Sequence, residues 1–373
     1  MASVGGVITT VLATIAAVIV LVLVHELGHF IAARLAGVKC PEFFVGFGPR
    51  IWSTRRGDTE FGIKWILVGG YVKVLGMNPE EEVSPEDFPR SYRGVSYGKR
   101  FWIIFAGSLS HVLLALVLMF FTIWIVGYPD VDRPTNTIAS VGMYMDEAGT
   151  EETPAYAAGL REGDTILAMD GEEVGDWEAV RSFIKAHPGE EVVLLIRRDG
   201  EEIEVPVRLA ALEDGTGYLG VSPSIYMQPY SFFGAMGKTV SWFGEATYGV
   251  GYGIYRVFNW STIKQLLGLA EPTVERPQTV YGIARTAGRI AEEGAFYFLN
   301  FFSFILLFLA YINLLPLPPL DGGHLAVLLW EKVTGREVDL RKLYPVAVAV
   351  LAFFALLFIL TLRLDITSPI NFP

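Results

Sequence analysis

The sequence predicts a multi-pass α-helical membrane protein of about four transmembrane helices, with an α/β domain inserted outside the membrane and a membrane-associated β-hairpin. Three observations predict it: apolar segments sized for a bilayer, basic residues gathered beside particular segment ends, and one acidic stretch unlike the rest. Of 373 residues, 52% are hydrophobic and 18% charged, against about 25% charged in soluble domains.

The apolar segments are residues 4–35, 101–126, 296–315 and 344–362, lengths that suit roughly 30 Å of hydrocarbon. The first lacks a basic start and a cleavage site, so it reads as a retained span and not as a signal peptide. Ten Lys or Arg lie in residues 37–100, and Lys332, Arg336, Arg341 and Lys342 lie between the last two spans. Positive charge marks the cytoplasmic side, so both termini and the long middle region are expected outside, in a cell inner (plasma) membrane. The single Cys40 excludes an intrachain disulfide framework and a cysteine zinc site. No nucleic-acid partner is expected.

Residues 130–212 carry nineteen acidic and seven basic side chains. Short apolar stretches at 137–141, 192–196 and 203–207 read as strands of a separate domain. Residues 230–294 mix Trp242, Tyr248, Tyr252, Tyr255 and Trp260 with Lys238, Arg256 and Lys264. That pattern favours amphipathic helices lying on the outer face. The expected division is a membrane core over 1–128, the inserted domain over 129–212, an interfacial region over 213–295 and a second membrane core over 296–373.

The chemistry-bearing residues lie inside the first span. His25 and His29, four apart on a helix, share one face and can both reach one metal, with Glu26 beside them to activate water. From residue 7 to residue 24 the only polar side chains are Thr9, Thr10 and Thr14, so no amphipathic surface accounts for the charged cluster. Ionisable groups at membrane depth are costly and mark function. A catalytic zinc takes three protein ligands and leaves a position for water. The candidate for the third is Asp321, which follows Asn313 and three prolines at the end of the third span. Broken backbone there needs a polar cavity. Spans one and three both run inward, so their ligands can meet near the cytoplasmic boundary.

Residues 154–166 followed by Asp170-Gly171 look like the bacterial PDZ signature, which implies peptide recognition by strand addition and a size-filtering role. Taken together, HExxH in the first span, this module and NxxPxPxLDG in a later span resemble the site-2 proteases, such as the bacterial regulator-of-sigma-E-protease type with one PDZ domain. The resemblance implies an intramembrane zinc metalloendopeptidase with His25, His29 and Asp321 as Zn2+ ligands, Glu26 as general base, and Asn313 positioning substrate or the developing oxyanion. It implies substrates that are single-pass membrane proteins, anti-sigma factors or remnant signal peptides, trimmed beforehand by an upstream site-1 protease. Where bacterial members often carry Gly-Pro and Asn, this chain has Gly107-Ser108-Leu109-Ser110-His111. His111 and His324 are left outside the ligand set.

Residues 61–68 and 71–75 are rich in strand formers, and Gly69-Gly70 between them suits a tight turn. The expected hairpin resembles the re-entrant hairpin of the family, with Gly69, Gly70, Tyr71, Val72, Lys73 and Val74 holding substrate as an added strand. Two rival readings are a membrane PDZ scaffold without catalysis and a metal transporter. A scaffold need not keep the four site residues together, and a carrier does not need Glu26.

Overall fold

The structure, a computed structural model, describes residues 4–78, 80–145, 151–273, 276–336 and 338–370. In chain order its elements are α1 Val4–Leu35, β1 Glu42–Arg56, β2 Thr59–Lys73, α2 Tyr97–Ile125, β3 Tyr128–Val141, α3 Pro154–Ala157, β4 Thr165–Met169 and β5 Glu172–Glu173. There follow α4 Trp177–Ala186, β6 Glu191–Arg198, β7 Glu201–Arg208, β8 Ala210–Ala211, β9 Gly217–Tyr218 and β10 Val221–Gln228. The chain ends with α5 Phe232–Val257, α6 Trp260–Leu266, α7 Val280–Glu292, α8 Ala295–Asn313, α9 Asp321–Thr334 and α10 Tyr344–Thr367. These form two compact units, Val126–Tyr230 and the remainder.

In the helical unit, four helices among the described residues are long and apolar enough to cross a membrane: Val18–Leu35, Tyr97–Ile125, Ala295–Asn313 and Arg341–Thr367. The protein is a multi-pass α-helical membrane protein. Helix α1 stops at Gly37, whose φ of 84° is open to glycine without strain, and the Ala36 and Val38 N–H groups bond back to Ala32 and Ala33. Helix α2 buries a strip at helical spacing, Ile103, Ile104, Gly107, Ser108, His111, Ala115 and Met119, and packs on α1 and α8. Two of its polar groups find carbonyl partners: the Ser110 hydroxyl donates to Val24 of α1 at 2.8 Å and Thr122 donates to Leu118 at 2.8 Å.

Helix α5 lies in the stretch expected to hold interfacial helices, and it packs one face on the helical unit. Ala235, Thr239, Trp242, Ala246 and Val250 are buried along one face toward α2 and α8. Trp242 donates to Asn300 at 2.7 Å, and the Thr247 and Tyr311 hydroxyls meet at 2.9 Å. Its other face exposes Tyr248, Tyr252 and Tyr255, apolar rings with a polar tip, so its two sides are not divided into charged and apolar. The Arg276 guanidinium and Asp365, both buried, pair at 2.6 Å, and Asp365 also accepts from the Thr279 N–H and hydroxyl. That cluster ties the start of α7 to the end of α10.

The β-region between α1 and α2 corrects the expected hairpin. The chain turns at Gly57-Asp58, with Arg56 opposite Thr59, and Gly69-Gly70 lies within β2. Residues 42–45 pair with 60–63 on one side and with 70–73 on the other, Glu42 facing both Glu60 and Lys73. The two expected strands therefore flank a third segment instead of each other. Gly70 is needed for closeness: a Cβ there would meet the Phe44 carbonyl at 2.9 Å and Val22 at 3.2 Å. Cys40 is fully buried with Ala33, Val38, Val74 and Ile103, and burial pushes its thiol up to about 11.

The second unit is a sheet in the order β10-β3-β4-β6-β7, with β5 added to β4. Ile138, Ile166, Leu194, Ile196, Val180 and Ile184 fill its core. It runs past residue 212 to Tyr230 because β10 pairs with β3, Gln228 opposite Tyr128. Asp164, 1% exposed, is held by Arg198 at 2.6 Å and by the Arg161 N–H at 2.8 Å. Burial alone would raise the Asp164 carboxyl, but these bonds outweigh it and hold the group below the ordinary carboxylate range.

Candidate metal centre

Helix α1 presents His25 and His29 on one face, and α9 begins with Asp321. The three ligand atoms converge: His25 Nε2 to Asp321 Oδ2 is 3.2 Å, His29 Nε2 to Asp321 Oδ2 is 3.3 Å, and the two Nε2 atoms are 3.1 Å apart. Tetrahedral zinc with bonds of about 2.0–2.1 Å separates its ligand atoms by about 3.3 Å. The His29 Nδ1 donates to the Ile103 carbonyl at 2.7 Å, which leaves Nε2 of a neutral ring as a lone pair aimed at its neighbours. Asp321 Oδ2 is a buried atom with no hydrogen bond of sound geometry. Three lone-pair atoms facing one another in a buried place suit a cation, and His25, His29 and Asp321 can coordinate a metal ion.

Local sequence sets each position. Gly28 lets α1 approach α2, since a Cβ there would lie 2.3 Å from the Ala106 carbonyl, and a Cβ at Gly107 would lie 2.3 Å from His29 Nε2. Asp321 is fixed by the turn before it. Pro316, Pro318 and Pro319 end α8, and the first turn of α9 folds back onto that loop. A Cβ on Gly322 would sit 2.2 Å from the Leu314 and Leu315 carbonyls, and one on Gly323 would sit 2.7 Å from the Pro318 nitrogen. The carboxylate then stands at a helix N-terminus, which favours negative charge. Gly322 closes the NxxPxPxLDG motif and Gly107 opens the second-span segment, but neither they nor Gly28 and Gly323 were given a packing role by motif spacing. The only sequence signal is their position, each within three residues of a ligand or opposite one.

Glu26 turns to the β-region, where its Oε2 accepts the Val72 N–H at 2.8 Å. Tyr71, the residue before Val72, lies 2.7 Å from Lys64 and also donates to Glu42. Lys73 pairs with Glu81 at 3.0 Å, which holds its ammonium above the ordinary lysine value. Val74 is buried under α1, and Gly69 takes a φ of 103°. Asn313 is the last residue of α8, and no hydrogen bond joins it to the three ligands among the described residues. His111 Nε2 donates to the Leu21 carbonyl at 2.9 Å, and its ring is 5.2 Å from that of His25. His324 lines a cavity of about 380 Å³ with Met77, Asn78, Pro318, Pro319 and Tyr344.

A His-Glu-x-x-His helix in the membrane, completed by a remote aspartate, defines a membrane metallopeptidase. The chain belongs to peptidase family M50, whose profile matches residues 13–359. It is 31% identical over 385 residues to zinc metalloprotease Rip1 of Mycobacterium tuberculosis strain H37Rv, covering 93% of this chain and 95% of that one. It is 28% identical over 396 residues to zinc metalloprotease RasP of Geobacillus kaustophilus, covering 85% and 88%. The PDZ domain of the SdrC-like protein from Listeria monocytogenes matches 25% of this chain and 92% of its own length, at 21% identity and a TM-score of 0.20.

Proposed function

We propose that this protein is a zinc endopeptidase of the site-2 protease type, cutting transmembrane segments of single-pass membrane proteins within the bilayer. The observation that carries the reading is the convergence of His25, His29 and Asp321 to within 3.3 Å beside a carboxylate, Glu26, that is not among them. In this reading those three hold Zn2+, which supplies Lewis acidity toward the scissile carbonyl and a more acidic water when bound. Glu26 takes the proton of the attacking water and gives it to the leaving amine. Asn313, at the end of α8, orients the substrate or the developing oxyanion.

A helical transmembrane substrate hides its peptide groups in its own hydrogen bonds and must unwind before cleavage. Residues 69–74 supply a strand edge that satisfies the groups so exposed. The unit Val126–Tyr230 is a PDZ domain on the extracytoplasmic side that excludes substrates with bulky outer domains, so that an upstream site-1 protease acts first. Anti-sigma factors and remnant signal peptides are the substrate classes. The basic residues of 37–100 and 332–342 support a cytoplasmic position for those loops and an active site near that side of the plasma membrane.

The test is cleavage of a tagged, pre-trimmed anti-sigma factor co-reconstituted in liposomes with wild type or Glu26→Gln. Wild type should release the soluble fragment and Glu26→Gln should not. Equal release by both would remove Glu26 as the base, and release by neither would remove the substrate class.

A further inference from the structure

Helix α1 runs along β2 in matched steps, meeting its face at Gly70 and its edge at Val72. Val22 meets Gly70, where a Cβ would come within 3.2 Å of Val22 Cγ1, and Glu26 meets Val72 through the 2.8 Å hydrogen bond. One helical turn, four residues, advances about 6 Å, and two strand residues advance about 6.6 Å, so the two contacts fall in register. On their other side residues 70–73 pair with 42–45. Alternate residues of a strand direct their N–H and C=O groups to opposite edges, so Gly70 and Val72 turn theirs toward α1 and Tyr71 turns its own toward Phe44.

Val72 is a rigid donor. Its side chain packs on the cluster of Ala33, Val38, Cys40, Val74 and Ile103, and three residues on, Leu75 donates to the Lys39 carbonyl at 3.0 Å. The acceptor is one oxygen of Glu26, next in sequence to His25. With Oε2 anchored, Glu26 keeps few of its rotamers, and Oε1 remains for a proton.

Resting on the peptidase reading above, we infer that the Val72 peptide N–H is a positioning group for Glu26, so that the strand beside the active site also orients the base that takes the proton of the attacking water. The edge is then interrupted at one donor. An added strand that approaches this edge finds the Val72 N–H already engaged by the carboxylate.

The test removes the donor and keeps the side chain: valine 72 is replaced by its α-hydroxy acid, which turns the 71–72 amide into an ester, with Val72→Pro as a second donor-free variant and Val72→Ile as the variant that keeps the N–H. Each is purified whole in detergent and assayed for zinc per chain, kcat and KM on the tagged transmembrane substrate. A hydrogen bond to a charged group corresponds to about a 10- to 100-fold effect. The ester should lower kcat by that factor with KM within about twofold and zinc unchanged, and Val72→Ile, which keeps the N–H, should lose less kcat than the ester. An unchanged kcat, a raised KM with kcat kept, or lost zinc in the ester would overturn the inference, each pointing to a role in substrate binding or folding alone. Full activity of Glu26→Gln would instead remove Glu26 as the base, and no cleavage by wild type would overturn the peptidase reading itself, whatever Val72 does.

Discussion

Gly107 of α2 lies against the ring of His29 so closely that a Cβ there would be 2.3 Å from Nε2 and 2.8 Å from His25 Cε1. The missing side chain is therefore part of the metal centre. Elsewhere a helix interior prefers alanine to glycine by up to about 1 kcal/mol. Gly107→Ala should cut bound zinc to below a tenth of one ion per chain and cleavage by more than about 100-fold, because a 1 Å displacement of a ligand is enough to disable a site. Gly28→Ala should do the same by pushing α1 off the Ala106 carbonyl. Gly98→Ala, also in α2 but with open space around it, should leave both unchanged. Zinc measured by elemental analysis on the three purified variants decides this, and full zinc in Gly107→Ala would contradict the packing.

Ligand and base should separate cleanly. His25→Ala, His29→Ala and Asp321→Ala each remove one of the three converging atoms and should lose most zinc and all cleavage. Glu26→Gln keeps an oxygen for the Val72 N–H and should retain zinc near one per chain while cleavage falls at least about 1000-fold, a general base contributing roughly 10²–10⁴. Stoichiometric zinc in both His25→Ala and Asp321→Ala would remove the site.

The helices and the three residues that converge were legible because the physics that sets them is local: unbroken apolar runs, a four-residue histidine spacing, an acid behind three prolines. The β-region was read less well. Gly69-Gly70 has turn chemistry, yet its small size serves approach to Val22 and Phe44, and the turn went to Gly57-Asp58. Nothing local distinguishes these two uses of glycine. The Ile103 carbonyl that orients His29 and the Val72 N–H that holds Glu26 are backbone groups, so no side chain announces them. Helix α5 carries an aromatic outer face like that of an interfacial helix, and its inner strip from Ala235 to Val250 packs on α2 and α8, a contact that no local pattern specifies.

In the unit Val126–Tyr230, Arg198 compensates a buried Asp164. Arg198→Ala leaves that carboxylate buried without its cation and should destabilise the unit by about 3 kcal/mol. The sign of the acid response follows. Asp164 sits below the ordinary carboxylate range in the folded state, so its stabilisation is complete above about pH 4 and is lost as pH falls through the folded value. Proteolysis of the unit in the whole protein should thus begin below about pH 4 in wild type. In Arg198→Ala it should begin at a higher pH. An identical acid onset in both would show that the pair contributes nothing to stability.

The two ends of that unit are neighbours, since Tyr128 pairs with Gln228 and a Cβ on Gly127 would touch the Gln228 carbonyl at 2.7 Å. An insertion whose ends meet can be excised without stretching what remains, so Ile125 joined to Ser231 by a short Gly-Ser linker should leave the helical unit, with its own ligands, able to fold and bind zinc. If the unit filters bulky outer domains, this variant should cleave a pre-trimmed substrate at a rate within about threefold of wild type and should also cleave the untrimmed form, which wild type spares. Band shifts of the two tagged substrates, read beside the zinc content of the variant, separate the possibilities. Zinc retained with neither substrate cleaved would mean that the unit presents substrates to the active site; zinc retained with only the trimmed form cleaved would mean that selection against bulky substrates resides in the helical unit.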